Sequence, residues 1–313
     1  MSWSLFRWVW RLEAPLFIGM PPAGALNRCR PYVPARALWG AATAEAARLE
    51  SGEGFPDYVH VGDEVKQNCR FTYLFPAEVW KEDILAWIPK FEREKGLRWY
   101  RQDSEKSLSD RDFRRHLLDS RPGTAIAPES DSALEGSLRH TECISPWWRD
   151  PDRHDGHGKT AAPVLLLGYV FLNDKTHNEQ EKLHDPKDIH GHLRAVRTLF
   201  IGGDTRYGLG KIRRIDTLSS DDNVFGKPVR PDREHPEIES GIVLGHAPEG
   251  GGAEEMLGAK ELIGGWDRGD PWKGGKRAWA PGSSLHDAQH PDRSVTAFWS
   301  MDRDGYWTHR GDQ

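Results

Sequence analysis

Cysteine is scarce in this chain: Cys29, Cys69 and Cys143 are its only three, far apart and without a CxxC pair. That excludes a disulfide-stapled scaffold and the common cysteine zinc sites, and a reducing cytoplasm is the expected compartment. Long apolar runs are lacking too. The longest, Pro163 to Leu172, is about half of the ~20 residues a membrane span needs, and Arg7 and Arg11 interrupt the aromatic N-terminus, so neither a signal peptide nor a membrane helix is expected. Hydrophobic residues make up only 37% of the 313, yet 14 Trp bring large apolar area per side chain, enough for a core. With 32 Gly and 21 Pro, much of the chain must be turns and long connections, in one large domain or two packed ones.

A net charge of −5 argues against a polyanion partner, but the charge is unevenly placed. Residues 1 to 48 hold six Arg against Glu13 and Glu45, and residues 193 to 215 hold six cations against Asp204 alone. Two basic islands on an acidic body are what an RNA-binding face would show if folding joins them. Scattered surface arginines are the bland alternative.

Trp3 to Leu12 alternates as a strand, with Phe6, Trp8, Trp10 and Leu12 on its buried face. After a Pro/Gly-rich loop, Ala14 to Pro31, an Ala-rich segment from Pro34 to about Leu49 is expected to be helical. Arg70 to Phe75 is a second strand. Apolar positions Ile84, Leu85, Ile88 and Phe91 predict peripheral helices within an insertion at 76–118. A projecting hairpin is expected over 120–143, a central strand over Pro163 to Leu172, and an amphipathic helix from Asp188 to Phe200. That helix is expected to run straight into the glycine-rich Ile201 to Lys211 and a last strand. Strand, helix, strand, strand, helix, strand is the order of a ferredoxin-like, α+β fold. The expected division is 1–217, with insertion and hairpin, and a Gly/Pro-rich β extension or second half-domain over 218–313.

The glycine loop carries the strongest chemistry. Gly202, Gly203, Gly208 and Gly210 allow close backbone approach to a ligand, Arg206, Lys211 and Arg213 supply phosphate-seeking charge, and Tyr207 offers a stacking face. It is neither a dinucleotide fingerprint nor a P-loop, because it enters a strand and has no Gly-Lys-Ser/Thr.

Three stretches in order resemble the RAMP superfamily of CRISPR-associated proteins. Tyr32 to Ala41 is similar to the family's first helix entry, although Ala35 replaces the usual Gly and Trp39 stands where Arg is common. Arg121 to Ile126, Ala133 to Leu138 and Glu142 resemble its thumb hairpin, and Ile201 to Lys211 its glycine-rich loop. The resemblance implies a ferredoxin-like, RNA-recognition-type RAMP fold. Further on, Trp279-Ala280-Pro281-Gly282-Ser283 resembles a segment of the subunit that caps the crRNA 5′ handle in type III effectors. The backbone subunit of such complexes has an aspartate in its first loop, whereas Ala14 to Pro31 contains no acid.

The resemblance therefore implies a non-catalytic crRNA-binding cap, without cofactor or metal, whose partners are crRNA, the large polymerase-like subunit, RAMP backbone subunits and, further out, target RNA. The residues expected at RNA are Asn27, Arg28, Arg30, Arg36, Arg121, Gly202, Gly203, Arg206, Tyr207, Gly208, Gly210, Lys211 and Arg213. Two rival functions are a backbone subunit cutting target RNA and a metal-independent endoribonuclease. The second draws on the histidines at 154–157 and 184–192, which are expected to be solvated loop residues. Cys29, between two arginines, has a setting that favours a thiolate, but no base partner is identifiable.

Overall fold

The computed structural model describes residues 2–149, 161–173, 189–216, 218–250, 256–264, 276–285 and 295–309. His154, His157, His177 and His184 lie outside them. The chain opens with β1 (Trp3–Leu12), whose tip loop holds the short β2 (Leu26–Asn27), then α1 (Ala35–Ser51) and α2 (Tyr58–Asn68). β3 (Cys69–Phe71), β4 (Phe75–Trp80), β5 (Asp83–Glu92), β6 (Gly96–Arg101) and β7 (Ser107–Ser109) follow, and α3 (Asp110–Leu117) closes that run. A hairpin comes next: β8 (Leu118–Gly123), the tip pair β9 (Ile126–Ala127) and β10 (Ser132–Ala133), and the returning β11 (Arg139–Ile144). β12 (Leu165–Asn173), α4 (Ile189–Ala195), β13 (Thr198–Phe200) and β14 (Lys211–Arg214) complete the N-terminal part. Beyond it, short antiparallel sheets dominate, the largest built on Glu237–Ser240 and Ala297–Met301.

The molecule is thus α+β, with one nine-stranded antiparallel sheet ordered β13-β14-β1-β12-β4-β5-β6-β7, and β3 beside β4 on β12. β12 is buried along its whole length, as its unbroken apolar run demands. β1 is covered on both faces from Trp8 to Trp10, not half-buried. On one face Trp8 stacks on Phe71 at 5.7 Å; on the other, Phe225 sits edge-on to Tyr169 of β12 at 5.0 Å. α1 packs against α2, α4 and β3.

The insertion at 76–118 corrects the helical expectation. Ile84, Leu85, Ile88 and Phe91 lie on β5, which extends the sheet, and α3 is the segment's only helix among the described residues. Pro89 would remove a hydrogen bond from any helix interior there. Lys81 and Glu82, with φ of 47° and 73°, form the two-residue turn between β4 and β5. Such turns usually announce themselves with Asn-Gly, so this one is silent in the sequence. The layer has its own aromatic core, Trp99 on Phe113 at 4.2 Å with Trp87 beside them.

The helix expected from Asp188 to Phe200 ends at Ala195, and the glycine loop follows strand β13, not a helix. Arg214 explains the stop. Its buried guanidinium donates to the Leu193 and Arg194 carbonyls at 3.2 and 2.6 Å, closing the end of α4. The chain then pairs with β14 through Thr198 to Phe200. His190 and His192 are buried in α4, not solvated. The Trp279 to Ser283 segment is also interior: Gly282 O accepts from Phe91 N at 2.8 Å, which ties the C-terminal part to β5.

Candidate nucleic-acid interface

The loop after β1 is wedged between the glycine loop and the hairpin. On one side Gly203 N donates to Phe17 O at 2.9 Å and Gly210 N to Pro15 O at 2.8 Å. On the other, Leu16 and Ile144 exchange backbone hydrogen bonds at 2.9 and 2.7 Å. The loop's tip strand β2 pairs in parallel with β11, which pairs antiparallel with β8. The two basic islands thereby meet.

Register sets the side chains. Thr141 is opposite both Asn27 and Arg121, so the three form one row, and Asn27 Nδ2 donates to Thr141 Oγ1 at 3.4 Å. Two residues away on the same face of β11, Arg139 reaches toward the glycine loop, its guanidinium carbon 5.9 Å from the Tyr207 ring centre. Tyr207 is 72% exposed, which a buried-core role would not permit, and Arg206, Arg121 and Arg139 are exposed with it. Arg28 is half-exposed on the adjoining arm. An aromatic platform among four arginines and an amide suits a single-stranded polyanion: cations for phosphate, a ring for a base. Arg139 had no motif to mark it; its place two residues before Thr141 on a paired strand was the available signal.

Other expected contacts are engaged within the protein. Arg30 is buried, with Nε donating to Glu261 at 2.9 Å and Nη1 to the Gly19 carbonyl. Lys211 and Arg213, both still exposed, share Glu13, whose carboxyl the Lys211 hydrogen bond at 3.0 Å and the Arg213 guanidinium hold below its usual range. Arg36 hydrogen-bonds Tyr306.

The glycines divide as well. A Cβ on Gly210 would lie 2.1 Å from Ile201 O, one on Gly202 2.3 Å from Phe17 O, and one on Gly203 2.8 Å from the Phe17 ring. These three serve packing of the protein on itself. Gly208, at φ +82°, caps the Thr205–Tyr207 turn and faces open space.

Behind the first loop is a cavity of about 670 Å³ between that loop, the start of α1 and the C-terminal part. Three of its lining residues, Arg30, Tyr73 and His246, belong to a hydrogen-bonded network. Glu261 receives Arg30, Tyr32 at 3.2 Å and His246 Nε2 at 3.3 Å, while Tyr73 OH meets His246 Nδ1 at 2.6 Å. Burial opposes the Glu261 charge, but the His246 hydrogen bond and Arg30 prevail and hold it at about 2. Burial lowers His246 despite Glu261, so the ring is neutral near pH 7. Burial also pushes Cys29 up to about 12, which overturns the thiolate setting suggested by its arginine neighbours. Among the described residues no cluster of His, Cys, Asp and Glu has metal-binding geometry, and no helix is long and apolar enough to cross a membrane.

No family model matches the chain, and no curated protein does. Among solved structures it is similar to a chain of the type III-B Cmr-beta complex bound to cognate target RNA and AMPPnP (state 1), with TM-score 0.46 and 11% identity, covering 88% of this chain and 84% of that one. A chain of Cmr-beta bound to cognate target RNA gives 0.38 and 8% identity over 67% of this chain and 96% of that one. One from the apo state gives 0.37 and 8% over 68% and 96%.

Proposed function

We propose that this chain is a guide-RNA-binding subunit of a type III-like CRISPR effector, a ferredoxin-like RAMP unit that caps the crRNA 5′ handle and does not itself cut RNA. The observation that carries the reading is the convergence of Asn27, Arg121, Arg139, Arg206 and Tyr207, drawn from three distant stretches, onto one exposed surface. The order β14-β1-β12-β3, all antiparallel, supports the ferredoxin-like unit, since strand four beside one, one beside three and three beside two is that fold's arrangement. The acid-free loop from Ala14 to Pro31 supports binding over metal-dependent cutting, because that chemistry needs carboxylates at the scissile phosphate. Large polymerase-like and RAMP backbone subunits are the neighbours of this role, and target RNA lies beyond them.

The test is nuclease footprinting of guide RNA carried by the purified chain. Protection of the 5′ end is expected, with guide precursor and complementary target left intact whether or not Mg²⁺ is added. Protection at regular interior intervals speaks for a backbone subunit, and specific cleavage for a nuclease.

A further inference from the structure

The connection between α1 and α2 leaves Phe55 fully exposed, at 100%, beside Leu49, Tyr58 and Val59 at 47, 49 and 42%. All four lie within eleven consecutive residues, on the last turn of one helix, the joining loop and the first turn of the next. The loop is held in place: Gly54 N donates to Ser51 O at 2.8 Å, and Asp57 Oδ1 caps α2 by accepting from Val59 N and His60 N at 3.1 and 3.0 Å. Four exposed apolar side chains within eleven residues, on a loop tied down by its own hydrogen bonds, exceed the scattered single residues of a surface that stays wet, and exposed aromatics are what interface anchors look like.

Charge identifies the occupant. From 45 to 66 the chain carries Glu45, Glu50, Glu53, Asp57, Asp63 and Glu64 against only Arg48 and Lys66, which pair with Glu45 and Asp304. Such a rim repels RNA and anionic lipid and attracts a cationic surface. Position adds to this. α1 runs 17 residues, or about 25 Å, from Ala35 beside the first loop to Ser51 at the patch, so the patch lies at the far end of the helix from the candidate RNA face. We infer that the α1–α2 junction is a docking surface for a neighbouring protein chain that presents an apolar socket edged with Lys and Arg. The inference rests on the reading above only in that the chain works inside an assembly.

The test uses the assembly purified through a tag on this chain, with a benzophenone amino acid in place of Phe55. A photo-adduct to one protein is expected, its cross-linked peptide containing Lys or Arg. The pair Phe55→Glu and Tyr58→Glu should lower that protein's stoichiometry tenfold or more, and Glu50→Lys with Glu53→Lys should lower it too, with thermal unfolding of the isolated chain unchanged. An adduct to RNA, no protein adduct, or unaltered stoichiometry in both variants overturns the docking surface. Loss of guide RNA from the unmodified assembly overturns the proposed function instead, and the adduct still decides the docking surface.

Discussion

Arg139 and Tyr207, 68 positions apart in the sequence, face each other at 5.9 Å across the gap between hairpin and glycine loop. Removing either exposed side chain leaves the core untouched. Tyr207→Ala should weaken RNA binding by about 1–3 kcal/mol, the usual worth of a stacked base. Arg139→Ala should weaken it while reducing the slope of log K against log salt by about 0.7 for a single-stranded RNA contact. Fluorescence anisotropy across a salt series checks both, and an unchanged slope would remove Arg139 from the phosphate path.

The glycines give a contrast within one loop. Gly208→Ala meets only the strain of a left-handed residue, roughly 1–2 kcal/mol, and should fold. Gly210→Ala drives a methyl into Ile201 O and should destabilise the chain far more. Urea denaturation of the two variants side by side is the measurement, and equal midpoints would show that the loop repacks freely.

Acid should find the Glu261 network. His246 has a lowered folded value, so the unfolded chain binds its proton first and stability falls as pH drops below about 6.5. The depressed Glu261 carboxylate contributes stability that is complete above the ordinary range near 4.5 and is lost as pH falls towards about 2. Glu261→Gln leaves Arg30 buried beside a neutral partner, an error of about 3–5 kcal/mol, and should flatten the lower limb of the pH profile. Chemical unfolding from pH 8 to 3 tests both limbs.

None of the three cysteines forms a disulfide and all are buried, with Cys143 pushed up to about 11 by burial and the Asp119 charge. Native protein should react with Ellman's reagent slowly or not at all and release three equivalents once denatured. Rapid native labelling of Cys29 would mean that the first loop opens.

The strand β12 was legible from its continuous apolar run beginning at Leu165, and β1 from the alternation of Phe6, Trp8 and Trp10, although buried Val9 shows that its second face is covered too. β5 was not, since a turn at Lys81 and Glu82 lacks the usual residues and four apolar positions happened to fit a helix. The site shows the same limit. Charge counting placed the two islands, but buried Arg30 and Arg214 look identical in sequence to Arg28 and Arg206, and only their contacts with Glu261 and the end of α4 separate them. Glycine carries the same ambiguity, because a ligand and a neighbouring carbonyl demand the same missing Cβ.

The placement of β1 between β12 and β14 has a consequence in time. Its ladder partners begin at Leu165 and Ile212, so about 150 residues must be made after Leu12 before the first of them exists. At synthesis rates of about 5–20 residues per second, a strand holding Trp3, Trp8 and Trp10 waits roughly 8–30 s outside the ribosome with its edges unpaired. Slowing translation lengthens that wait, whereas a chaperone that shelters β1 covers it, so yield of this protein should respond more to the second than to the first.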